Sequence, residues 1–261
     1  MNCVKAIFKR EFAAYFRSPM GYVLFAIFMA VSGLYFASGI LSSYIDMVSE
    51  ISFIQSFLFV IVPLLTMRSF SEDRRNGTEV LLFTSPANSM QIVLAKFLAA
   101  FSLFCLMTAG TFTHLILTAF YDGIIDISVL GAYIGFIFLG AAYIAIGVFA
   151  SALTENQIIA AVISFIIILL LLLLDFIASA IGSMISTLIA KINFVGLTDT
   201  QIDSAGTAVT SAINWLNPTT RLNNFLYGIF EISPIIFFIS LVAAFLFLTN
   251  RIIEKRRWSQ R

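Results

Sequence analysis

The chain has 261 residues, enough for one or two soluble domains, but 60% are hydrophobic and only 11% charged, with a mean hydropathy of +1.00. A soluble domain carries about a quarter charged residues; polar groups this scarce cannot cover a folded surface, so a water-soluble globule is excluded and lipid is the expected solvent. A formal net charge of +1 gives no electrostatic footing for nucleic acid, and the two cysteines, Cys3 and Cys105, do not make a secreted disulfide framework.

Residues 1–18 read as an amphipathic helix. Val4, Ile7, Phe8, Phe12, Tyr15 and Phe16 recur at spacings of three and four, opposite Lys5, Lys9, Arg10 and Arg17. Such a helix is expected to lie in the headgroup plane, in contact with membrane lipid; the plainer reading is a basic anchor with no further role. Ser18 and Pro19 then turn the chain into six apolar stretches, 20–41, 51–67, 91–120, 128–153, 157–177 and 233–251. A helix needs about 20 apolar residues to cross a bilayer core of about 30 Å. The stretches are apolar all round and lack the alternation of a barrel strand, so the expected fold class is an all-α integral membrane protein with six transmembrane helices in a single membrane domain, 1–261. The second stretch is short and the third long, a mismatch that tilt or local thinning absorbs. The first is too long for the apolar region of a secretory signal. With both termini on one side, every one of the 15 Lys and Arg except Lys191 and Arg221 falls on that side, which predicts that both termini are cytoplasmic.

The loop at 68–90 is the most informative segment. Ser71 is placed to cap a short helix with Glu72 and Asp73 in its first turn and Arg74 and Arg75 in its last, and Gly77 suits the left-handed position that ends it. Thr78 is placed to cap a second short helix that starts with Glu79 and carries an apolar knob of Leu81, Leu82 and Phe83; Asn88 and Gln91 form a capping box for the third span. An apolar cluster rimmed by charge marks either a docking surface or a segment dipping into the headgroups.

Within the spans, His114 is the single histidine and neighbours Thr108, Thr111 and Thr118 at helical spacing. These groups either line a path or hydrogen-bond between helices, the histidine in a structural role. Gly131, Gly135, Gly140 and Gly147 suit close helix packing, within the chain or at a dimer seam. After the turn Ser151–Gln157, a tight helix-helix turn that Thr154 is placed to cap, the fifth span ends near Asp175. An intramembrane carboxylate is a functional candidate by default, but at about 1.5 Å per residue Asp175 lies about 27 Å along the helix, near the outer interface. The segment 178–232 is expected outside, with amphipathic stretches at 178–192 and 209–216 that lie along or re-enter the outer leaflet. Acids dominate the whole external side, Asp46, Glu50, Asp122, Asp126, Asp199, Asp203 and Glu231 against Lys191 and Arg221.

The run from Glu72 to Pro86, Glu-x-x-x-x-Gly-Thr-Glu-x-Leu-Leu-x-x-x-Pro, resembles the coupling region of type-2 ABC exporter permeases. Asn223-Asn-Phe-Leu-Tyr-Gly-Ile-Phe-Glu-Ile and the tail Arg256-Arg257-Trp258 resemble the gliding-motility and copper-nitrous-oxide branch. The resemblance implies a non-catalytic permease of the bacterial cytoplasmic membrane that pairs as a homo- or heterodimer and docks two cytoplasmic ATPases. ATP and Mg would then sit on the partner chain and no cofactor on this one. It implies further that Gly77, Thr78, Glu79, Leu81 and Leu82 form the coupling helix, with Glu72 and Phe83 beside it, that Thr154 and Glu155 make a second contact, and that an extracytoplasmic accessory protein docks outside. Thr111, His114, Thr118 and Asp175 are the candidate path residues. No Gly-x-x-x-x-Gly-Lys-Ser/Thr phosphate loop occurs in the chain, nor paired intramembrane carboxylates or a His-Glu-x-x-His run, which disfavours an enzyme. A stand-alone channel or secondary transporter is the alternative; it predicts inverted repeats and several buried charges.

Overall fold

A computed structural model describes residues 2–42, 44–121, 123, 125–191 and 198–259, and among them the chain is helical with no strand. Its elements are α1 (Asn2–Arg17), α2 (Met20–Leu41), α3 (Met47–Thr66), α4 (Ser71–Arg75), α5 (Glu79–Thr84), α6 (Ser89–Gly110), α7 (Phe112–Phe120), α8 (Ile127–Leu153), α9 (Gln157–Leu172), α10 (Leu174–Lys191) and α11 (Asp199–Asn214). A 3-10 turn (Thr220–Leu222), α12 (Asn223–Leu226) and α13 (Ile232–Ser259) complete it. Six segments are long and apolar enough to cross a membrane, and the protein is an all-α integral membrane protein.

The core forms around α8, which is buried along most of its length and packs against α3, α6, α9, α12 and α13. Its small residues allow this, and the glycines expected to pack closely do so within the chain. A Cβ at Gly131 would run into the carbonyl oxygen of Phe225, one at Gly140 into the Phe104 ring, and one at Gly147 into the Thr66 hydroxyl. Helix α2 shows Tyr22, Val23, Ile27 and Leu34 to its surroundings, and α9 shows Ile158, Ile159, Val162 and Ile166. Their outer faces are as apolar as a core, as lipid-facing helices require.

Several boundaries differ from the expected ones for identifiable reasons. The second span starts at Met47, not 51, because the Asp46 carboxylate caps it, accepting from Val48 N at 3.0 Å. Glu50 is therefore inside a helix and buried, not an external solvated acid. The third span breaks at Thr111, whose hydroxyl turns back to the Thr108 carbonyl at 2.7 Å, so the long stretch is two helices. The last helix runs past 251 to Ser259, carrying its cations beyond the apolar stretch.

The fifth span also differs. The expected helix over 157–177 stops at Leu172, and a turn at Leu173 starts α10. With 16 residues, α9 is about 24 Å long, and it is α10 that reaches spanning length. The break lets Asp175, in the first turn of α10, accept from Asn214 Nδ2 at 2.8 Å. From there α10 and α11 pack along each other as a hairpin, so close that a Cβ at Gly182 would stand 2.8 Å from the Gly206 carbonyl oxygen. The expected outer helices, 178–192 and 209–216, are thus longer and paired; residues 192–197, Asp122 and the side chain of Asp199 lie outside the described residues.

Overpacking a close contact of this kind costs about 1–3 kcal/mol. Gly131→Val, which meets backbone at Phe225 and cannot push it aside, is expected to lower the melting temperature in detergent. Gly33→Val, at a position with nothing within 4 Å, is expected to leave it unchanged; equal effects would refute the packing of α12 on α8.

Candidate functional site: the loop surface and the polar groups between the helices

The cationic end of the bundle is assembled around Lys96, 2% exposed although it sits on an apolar helix. Its Nζ donates to Asp73 Oδ2 at 2.5 Å and to the Ser69 carbonyl at 2.5 Å, stands 3.1 Å from Glu11 Oε1, and lies over the Phe70 ring. Arg10 contacts Glu11 and lies 3.6 Å from Asp73. One ammonium thereby ties α1, α4 and α6 together. Burial alone would raise the Asp73 carboxyl, but Lys96, the Thr78 hydroxyl and Arg10 outweigh it and hold Asp73 below the usual carboxylate range.

The loop's own grammar is partly as expected. Gly77 has φ of +69°, the left-handed conformation that closes α4, and Asn88 and Gln91 form the capping box of α6. The hydroxyls do otherwise. Ser71 donates back to the Met67 carbonyl instead of capping α4. The cap comes from Ser151 at the end of α8, whose Oγ accepts from Phe70 N at 3.0 Å and Ser71 N at 3.2 Å. Thr78 donates to Asp73 Oδ1 at 2.8 Å and leaves α5 without a side-chain cap. Glu72 is held by Arg68 through two bonds at 2.6 and 2.7 Å.

The knob on α5 is smaller than the sequence suggests. Glu79 is 7% and Leu82 5% exposed: Leu82 joins the core, and Glu79 faces Arg256 of α13 at 3.7 Å, which also donates to the Ala152 carbonyl. A helix this short has one inward face, and Glu79 and Leu82, three apart, share it. The outward apolar residues are Val80 and Leu81, 51% and 69% exposed, with Arg75, Asn76 and Gly77 beside them. A groove of about 310 Å³ between α1 and α5, bordered by Cys3, Ile7, Arg10 and Leu81, runs along this surface. The side chain of Phe83 lies outside the described residues. Thr154 accepts from Asn156 N at 3.1 Å, while Asn156 caps α9; Glu155 reaches 3.6 Å from Arg74, joining the second turn to the loop.

At the opposite end the structure gathers three of the four expected path residues. His114 Nδ1 lies 2.7 Å from Glu50 Oε1, which accepts from Ser32 Oγ at 2.5 Å; Phe36 stacks on the imidazole. Thr118 contacts Met47 Sδ at 3.3 Å, and Thr111 meets the Tyr133 hydroxyl at 2.9 Å. Asp175 belongs to the α10–α11 hairpin and is exposed. Sequence reasoning missed Glu50; the available signal was one carboxylate next to an apolar run in a chain with a single histidine. Among the described residues no group of three or more His, Cys, Asp and Glu is placed to hold a metal ion.

Residues 5–254 match the family model described as ABC-2 family transporter protein. The chain belongs to that family. It is an ABC transporter permease, a membrane component of a transporter. No curated protein matches it. In this permease the loop after the second span is therefore held from three directions, by α1 and α6 through Lys96, by α8 through Ser151, and by α13 through Arg256.

Removing one partner of a buried ion pair costs about 3–5 kcal/mol. Lys96→Met is expected to fall at the lower end, since Glu11 and Asp73 retain some solvent, and to expose α1 to hydrogen exchange; Lys96→Met with Asp73→Asn should recover part of the loss. The Asp73 contribution is complete above its ordinary value of about 4 and is lost as pH falls through the lowered one. Faster exchange in α1 below about pH 4 in the wild type, absent in Asp73→Asn, is the expected signature, and identical profiles would contradict the network.

Proposed function

We propose that this permease couples ATP hydrolysis on separate ATPase chains to substrate export, or to mechanical work on a partner, and that the Val80–Leu81 surface is where the coupling force enters. The observation that carries this is the combination of an outward apolar knob with an inward tether. Val80 and Leu81 are exposed, while Glu79 and Leu82 of the same short helix are fixed to the bundle. A knob so anchored transmits displacement to α6, α8 and α13, whereas a loose loop would absorb it.

The positive-inside distribution orients the knob toward the cytoplasm, with the interfacial helix α1, both termini and the turn with Thr154 and Glu155 on that side. The resemblance supports two ATPases per complex carrying ATP and Mg, pairing of two permease chains, alike or different, in a bacterial cytoplasmic membrane, and membership of the gliding-motility and copper-nitrous-oxide branch. An extracytoplasmic partner would meet the α10–α11 hairpin.

Affinity purification from the native membrane, followed by mass spectrometry, tests this reading. Leu81→Asp is expected to leave the protein inserted and folded while the co-purifying P-loop ATPase falls at least tenfold, about 1.4 kcal/mol of lost contact. Glu79→Lys, which sets a second cation against Arg256, should reduce it by displacing α5. Recovery of the wild-type chain alone, with no ATPase, would point to a stand-alone channel or secondary transporter.

A further inference from the structure

The Ser32–Glu50–His114 cluster is not used by the coupling scheme, and its chemistry is specific. Glu50 is 1% and Ser32 0% exposed. Both Ser32 Oγ and His114 Nδ1 lie on the same oxygen, Glu50 Oε1, at 2.5 and 2.7 Å, while the second oxygen, Oε2, is buried with no partner among the described residues. A buried carboxylate oxygen without a donor is costly, and a net charge in this setting more so.

Among the described residues the surroundings offer no cation to neutralise it. Helices α2 and α8 carry no Asp, Glu, Lys or Arg, and His114 is the one ionisable side chain on α7. On α3 the remaining acid is its cap, Asp46, engaged with Val48 N and Ser49 Oγ; on α8 the Tyr133 hydroxyl is held by Thr111, and the acid that caps that helix, Asp126, is held to Ile127 N. Lys96 is at the far end of α6, in the network already described. A carboxylate beside a neutral imidazole leaves the cluster with one negative charge. One added proton, whether counted on the imidazole or on the carboxyl, makes it neutral, and it belongs to the pair.

We propose that Ser32, Glu50 and His114 form an intramembrane proton-binding site that holds one exchangeable proton and fastens α2, α3 and α7 together at the end away from the chain termini. The proton is taken from and returned to water at that end. With it bound, the three helices share a neutral hydrogen-bonded knot under the Phe36 ring. When it leaves, the remaining charge must be hydrated, and the seam between α2, α3 and α7 is where water reaches it.

Because His114 is the chain's single histidine, the full-length protein, purified through a tag without histidine and labelled with 15N-histidine in lipid nanodiscs, gives one imidazole to observe. The wild-type signals are expected to change form once as the pH is varied, and Glu50→Gln, which removes the carboxylate from the imidazole's hydrogen bond, is expected to displace that change. No change of form in the wild type, or an identical change in Glu50→Gln, would overturn the proposal. Should Glu50→Gln fail to fold, Ser32→Ala keeps both ionisable groups and removes one donor to Oε1; a displaced change supports the site and an identical one refutes it. The measurement involves no ATPase, so it fails or succeeds independently of the coupling surface.

Discussion

Lys96 carries a charge below the surface of an apolar bundle, and three separate elements must converge to neutralise it. Asp73 comes from the loop, Glu11 from α1, and the Ser69 carbonyl from the turn after α3. A cation in such a place is tolerated when it is paired and hydrogen-bonded. The requirement works in reverse as a specification: the loop can settle in one place only, where its acid meets that ammonium. The positions of α4, of Gly77 and finally of the exposed Val80–Leu81 step follow from it.

The opposite end is organised by a second buried polar group, with different chemistry. At the cationic end the charges are many and mutually compensated. Around Glu50 they are few, and compensation depends on a hydroxyl, an imidazole and an aromatic ring. Between the two ends lies α8, whose small residues bring its neighbours close enough that movement at one end is carried as rigid-body displacement and not absorbed by side-chain slack.

Much of this was legible in the sequence, and the misses share a cause. The apolar stretches, Gly77 and the Asn88–Gln91 capping box are local features, and local rules found them. Glu79 and Leu82 were expected on the surface because their partners, Arg256 and the core beneath α5, are far away in sequence. Ser71 and Thr78 obeyed the composition rule for caps but donate to other acceptors; the α4 cap is filled by Ser151, eighty residues on from Ser71, and α5 is left without a side-chain cap. Glu50 was assigned to water because a lone carboxylate at a span edge is normally hydrated; only the fold shows that His114 stands beside it. The break at Leu173 has neither glycine nor proline to announce it, and the bond between Asp175 and Asn214 that accompanies it is again nonlocal.

The tether on α5 has a bearing on how the protein is made. Glu79 follows the second span, but Arg256 lies beyond the last one, so the loop is synthesised long before the residue that holds it. Throughout membrane insertion the helix bearing Val80 and Leu81 lacks its final support, and only a chain threaded through to its closing helix presents it in place. If a soluble partner docks on α5 as proposed, its firm assembly is scheduled after the last helix is made, since a truncated or stalled subunit holds the loop through Lys96 and Ser151 alone.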